Sequence, residues 1–139
     1  MDDVIRQLVR ERAGYRCEYC LLPQKYAVVV RFHIEHIRAR QHGGDDDPAN
    51  LALACPHCNR FKGPNLTSFD PETDALVPLF NPRTQSWHEH FALDDVMLVG
   101  LTPIGRATVQ LLHMNAEDRL KVRAALKERG ELDIERLSG

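Results

Sequence analysis

The chain has 139 residues, 43% of them hydrophobic and 6% aromatic, with 18 Lys+Arg against 20 Asp+Glu for a formal charge of −2. That length suits one domain with a modest core. No apolar run approaches a membrane span, and the charge balance is not that of a protein drawn to nucleic acid by net charge alone. The charge is uneven: residues 1–63 hold 10 basic and 8 acidic side chains, residues 64–139 hold 8 and 12. The N-terminus has no apolar signal-peptide core, so a cytoplasmic location is expected, where thiols stay reduced.

Residues 3–13 predict a helix, with Val4, Ile5, Leu8 and Val9 on one face. Asp2 or Asp3 suits its start and Gly14 its end. Arg6, Arg10 and Arg12 fall on the other side and read as a solvated face. Cys17 and Cys20 follow as one C-x-x-C pair. Residues 26–37 then look extended, because Val28, Val29 and Val30 are β-branched in succession. Within that strand His33, Glu35 and Ile37 would point one way, Ile34 and His36 the other.

Residues 38–49 form a loop in which Gly43 and Gly44 permit backbone angles other residues avoid. Asp45, Asp46 and Asp47 precede Pro48 without the spacing of a calcium loop and read as a solvated turn. Asn50 opens a short second strand, and its amide suits bonding across the loop. Cys55 and Cys58 make the second C-x-x-C pair, and Pro56 begins a helix that Gly63 and Pro64 end.

The second half carries less chemistry. Ala75–Phe80 predicts a short apolar strand, paired in a hairpin with the segment near Val96–Val99. Trp87 and Phe91 stand four apart on a short helical turn and pack inward. Thr102 and Pro103 start a helix with Val109 and Leu112 on its inner face. Asn115 and Asp118 look like a cap with an acidic residue three on, opening a last helix to about Arg129. Leu132, Ile134 and Leu137 could dock as a final turn or fray.

All four cysteines lie in the two pairs. Two disulfides and a redox dithiol are the rival readings. With no thiol left over and no sign of an oxidising compartment, a structural Zn²⁺ on Cys17, Cys20, Cys55 and Cys58 is the economical one. A zinc ribbon alone does not require His33, Glu35 and His36 between the pairs, nor Asn59 after the last cysteine. Here Cys17, Cys20, Glu35-His36-Ile37, Gly43-Gly44, Asn50-Leu51, Cys55, Cys58-Asn59 and Lys62-Gly63 resemble, in order and spacing, the HNH endonuclease family of ββα-metal nucleases.

The resemblance implies an α+β fold: a small single domain over 1–139, built around a zinc-clamped ββα unit. The motif core would span 17–63, with flanking helices, a short additional hairpin and a C-terminal helical extension over about 102–130. It implies a metal-dependent DNA endonuclease, with nicking as the natural product of one site. His36 would be the general base, since a neutral imidazole can take a proton from water near neutral pH. Glu35 and Asn59 would hold one Mg²⁺ or Mn²⁺, and Asn50 would brace the loop that aims the histidine. Glutamate replaces the commoner aspartate at position 35.

Arg38, Arg40, Arg60 and Lys62 surround the motif and suit phosphate contact as well as solubility. DNA is the expected partner, with no membrane and a monomer or homodimer. The competing readings are an inactive zinc-stabilised nucleic-acid-binding module and a zinc-scaffolded protein-interaction domain.

Overall fold

A computed structural model of the chain describes residues 1–27 and 29–134. The expectations for Val28 and Leu137 lie outside these residues. The elements are helices and short antiparallel hairpins, an α+β arrangement as the motif implied. They gather into two compact units, the first comprising Met1–Leu66 with Asn81–Thr84, the second Thr67–Phe80 with Gln85–Gly139. No helix among the described residues is long and apolar enough to cross a membrane.

The first unit begins with α1 (Asp3–Arg12), capped by the Asp2 carboxylate, which accepts from Ile5 N at 2.9 Å. Val9 is fully buried, but Val4 is 77% exposed, so the apolar face packs through its C-terminal end. Arg12 is not part of a solvated face. It donates to Pro48 O at 3.0 Å and Leu51 O at 2.8 Å, tying α1 to the start of the second strand. Strand β1 (His33–His36) pairs antiparallel with β2 (Leu51–Ala54), His33 opposite Ala54 and His36 opposite Leu51.

The extended stretch is therefore shorter than residues 26–37. Gln24–Tyr26 is a 3₁₀ turn, and Val29 and Val30 are exposed. β-Branched residues favour strands only where a neighbour offers a ladder and a packing surface, and no strand pairs with this segment among the described residues. Leu51, Ala52, Leu53 and Ala54 are all fully buried and form the floor of the unit. Glu18 covers the outer edge of β2: its N–H donates to Leu53 O at 2.8 Å and its carboxylate accepts from Leu53 N at 2.8 Å. Helix α2 (Pro56–Lys62) follows directly, Cys55 serving as N-cap and Pro56 in its first turn.

Among its described residues the second unit holds two local hairpins. β3 (Thr67–Phe69) pairs with β4 (Leu76–Pro78), and β5 (Phe91–Asp94) pairs with β6 (Met97–Gly100). The expected pairing of 75–80 with 96–99 is thus replaced by two tight hairpins, each closed over a shorter loop. The turn α3 (Trp87–His90) leads into β5, and the Trp87 and Phe91 rings stack with centroids 5.1 Å apart. Helix α4 (Pro103–Leu111) is capped by Thr102, as its sequence indicates.

Helix α5 (Glu117–Glu128) has Ala116 at its N-cap position with no side-chain cap. Asn115 is used elsewhere: its amide bonds both Leu98 N and Leu98 O, at 2.9 and 2.8 Å. Fully buried Arg123 donates to Val96 O and to Met114 O, binding α5 to the β5–β6 turn. Ile134 is buried, so the tail docks at least that far.

Candidate metal centre and histidine site

The four cysteine sulfurs lie within 4.8 Å of one another, and all four residues are buried. Each pair forms a turn whose second residue donates its N–H to the first sulfur, Cys20 to Cys17 at 3.5 Å and Cys58 to Cys55 at 3.4 Å. Cys20 Sγ and Cys55 Sγ stand 3.8 Å apart. A tetrahedron with Zn–S bonds of about 2.3 Å has edges of about 3.8 Å, so this pair stands at the spacing of two zinc ligands and the other sulfurs lie close enough to complete the set. All four thiols are free, which disposes of the disulfide reading.

Hydrogen bonding within the cluster pulls the Cys55 thiol far below its ordinary range and pushes Cys20 and Cys58 well above theirs. Four sulfurs this close favour one thiolate and suppress others. A divalent cation removes that conflict, because it stabilises every thiolate at once.

Beside the four-cysteine cluster, strand β1 delivers Glu35 and His36 to different surroundings, as successive strand residues must. Glu35 is 5% exposed. Its carboxylate forms an ion pair with Lys62 and accepts from the Tyr19 hydroxyl at 2.7 Å. Burial raises the Glu35 carboxyl above its usual range, against the opposing pull of Lys62 and Tyr19. The Lys62 ammonium also donates to Ile37 O at 3.0 Å and His36 O at 3.4 Å, so it knits α2 to the end of β1.

Two expectations meet this cluster. Lys62 is 2% exposed, so it cannot lie against a DNA phosphate; its role is internal. Glu35, as placed, does not fit an open Mg²⁺ or Mn²⁺ site. Both of its oxygens face donors, and a cation there would have to displace a buried ammonium. Asn59 lies on α2, partly exposed, and its side-chain amide makes no hydrogen bond among the described residues.

His36 occupies the last position of β1 with 20% of its side chain exposed. Its Nε2 lies 2.7 Å from Asp46 Oδ1. Arg40 donates to both oxygens of the same carboxylate, at 2.9 and 3.0 Å. The hydrogen bond with His36 and the Arg40 charge hold the Asp46 carboxyl below its usual range. Sequence reasoning placed Asp46 in a solvated turn and missed this contact. The only signal available was its position between the glycine pair and Asn50.

The loop that carries Asp46 is fixed from two sides. Gly43 has φ +85°, and a Cβ on Gly44 would lie 1.7 Å from Arg38 O and 2.9 Å from Asn50 Nδ2. Glycine at 44 is therefore what lets the loop close onto the backbone of residue 38. Asn50 completes the closure. Its Oδ1 accepts from Arg38 N at 2.9 Å, and its Nδ2 donates to Arg38 O at 3.0 Å and Asp45 O at 2.9 Å.

Of the remaining candidates, Arg38 is exposed and donates to His42 O, Arg40 is 67% exposed at its side chain, and exposed Arg60 lies over the Phe61 ring at 5.2 Å. His33 and His42 are exposed, and the His57 ring packs 4.7 Å from that of Phe61.

Residues 17–65 match the family model described as HNH endonuclease. No curated protein and no solved structure matches the chain.

Proposed function

We propose that this chain, whose residues 17–65 match the HNH endonuclease family, hydrolyses phosphodiester bonds in DNA. The observation that carries the reading is His36 itself. It is a partly exposed imidazole at a strand end, aimed by a short contact to Asp46, inside a unit of strand, loop, strand and helix that carries the four-cysteine cluster. An imidazole so placed can take a proton from a water attacking phosphorus, a contribution of about 10²–10⁴ in rate. Exposed Arg38, Arg40 and Arg60 border the loop and helix and supply positive charge for the phosphate backbone.

A divalent cation, when bound, would neutralise charge on the scissile phosphate and the departing 3′ oxygen. Asn59 has an unengaged oxygen to offer such an ion, whereas Glu35 does not while Lys62 holds it. Proton removal is therefore assigned to His36, and no step is assigned to a cation at Glu35.

The test is a plasmid-nicking assay with Mg²⁺, Mn²⁺ or EDTA, run beside His36→Ala. Cutting by the wild type that the variant lacks supports the hydrolase. Equal cutting by both overturns His36 as base. The engagement of Glu35 by Lys62 gives weight to a second reading, an inactive zinc-stabilised module for nucleic acid or protein. DNA retention without cutting under every metal condition would favour it.

A further inference from the structure

Asp46 is the one acidic residue of its triplet that reaches a chemically active side chain. Asp47 caps the 3₁₀ turn at Pro48 by accepting from Ala49 N at 2.8 Å, and Asp45 accepts from Asp47 N at 3.1 Å. Both duties are local to the loop. Asp46 instead crosses to the end of β1 and meets His36 Nε2 at 2.7 Å. Arg40, six residues back along the chain, holds both of its oxygens.

We infer that Asp46 is a positioning residue that fixes His36 in the tautomer carrying hydrogen on Nε2, with Arg40 holding the carboxylate in place. This rests on the hydrolase reading only for its catalytic consequence. A carboxylate can only accept, so the ring nitrogen facing it must donate. The hydrogen of a neutral His36 then sits on Nε2, and Nδ1 is left with the lone pair that can receive a proton. Arg40 strengthens the arrangement because a guanidinium can only donate. It keeps the Asp46 oxygens in one orientation and neutralises a charge that would otherwise face an incoming phosphate.

The same loop closure that requires Gly44 and Asn50 now has a chemical purpose. Asn50 Nδ2 bonds Asp45 O, the carbonyl directly before Asp46, so the asparagine sets where the carboxylate emerges. The Gly-Gly-to-Asn segment thus aims the histidine through a side chain and not only through backbone shape.

Asp46→Ala gives the sharp consequence. His36 and Arg40 share the oxygen Oδ1, so the amide of Asp46→Asn can keep its oxygen there and leave the ring hydrogen on Nε2. Asp46→Ala removes the acceptor, neither ring nitrogen is then preferred, and hydrogen spreads to Nδ1, the atom that must be free. At metal sites, loss of the partner that orients a histidine costs about 10–100-fold, and a loss of that order is expected here.

The experiment reads the His36 ring directly by ¹⁵N NMR at about pH 8, where a free imidazole is neutral, in wild type, Asp46→Asn and Asp46→Ala. A thermal melt confirms that each variant is folded. The expected result is the Nε2–H pattern in wild type and in Asp46→Asn, and a mixture of the two tautomers in Asp46→Ala. In plasmid cutting, kcat should fall about 10–100-fold in Asp46→Ala with KM unchanged and should be largely kept in Asp46→Asn. An unaltered ring pattern in Asp46→Ala overturns the inference, whatever the activity. If wild type cuts no DNA, the hydrolase reading alone falls, and the ring spectra still decide the role of Asp46.

Discussion

Replacing Lys62 by methionine keeps the length and much of the volume of the side chain but removes its charge. In the native structure the two partners of this ion pair have side chains only 2% and 4% exposed. Lys62→Met therefore leaves the Glu35 carboxylate buried with one neutral donor, the Tyr19 hydroxyl, and orphans the bond to Ile37 O. Breaking one side of such a pair costs about 3–5 kcal/mol at neutral pH.

The carboxyl can relieve part of that cost by taking up a proton. Burial already raises its pKa, and removing Lys62, which lowers it, raises it further. A folded pKa above the unfolded one gives a contribution present in full below the unfolded pKa and lost as pH rises through the folded one. The deficit of the variant should accordingly be largest at neutral pH and shrink toward acid. Denaturant unfolding of wild type, Lys62→Met and the Glu35→Met, Lys62→Met double variant, from neutral pH down to the limit at which zinc stays bound, reads this. The double variant should recover to within about 1–2 kcal/mol of wild type, since a well-packed apolar pair replaces a buried ionic one without loss of charge balance. A single-variant cost below about 1 kcal/mol, or a deficit that grows toward acid, would refute the assignment of Lys62 and Glu35 as a buried pair.

Further outcomes follow from other parts of the chain. Metal analysis should find one zinc per chain, and Cys55→Ser should lose it; chelation should abolish the folded NMR signals of residues 17–65, and unchanged signals after complete chelation would contradict the zinc clamp. Gly44→Ala should cost about 2 kcal/mol or more and disturb the His36 ring signals, because its Cβ would lie 1.7 Å from Arg38 O; an unperturbed melt would show that the loop does not close as described. Asp70, fully buried, takes two bonds from Arg106, which holds its carboxyl well below the usual range. Its stabilising contribution is present above the ordinary carboxylate pKa and lost as pH falls through the depressed one. Asp70→Asn should thus flatten the acid side of the stability profile, and an unchanged acid slope would exclude this pair as its source.

The clustering of the four cysteines, the glycine pair and Asn50 were legible because each depends on local constraints: two-residue spacing, positive φ and a turn amide. Helices α1 and α4 were legible for the same reason, through caps at Asp2 and Thr102. What failed depends on distant partners. Lys62 looks like surface charge until α2 is laid against β1, where Glu35 waits for it. Asp46 is indistinguishable from its two neighbours until the loop closes on Arg38. Val29 and Val30 have strand character with no strand to join, and the second unit chose two local hairpins where the pattern allowed a longer-range one.

The most direct measurement is single-turnover cleavage of an end-labelled DNA duplex by zinc-loaded wild type and His36→Ala, with divalent cation supplied and product ends identified. The account predicts 5′-phosphate and 3′-hydroxyl ends, and a rate about 10²–10⁴ lower for the variant at unchanged zinc content. Equal rates, or no cleavage by wild type with any divalent cation, would contradict it.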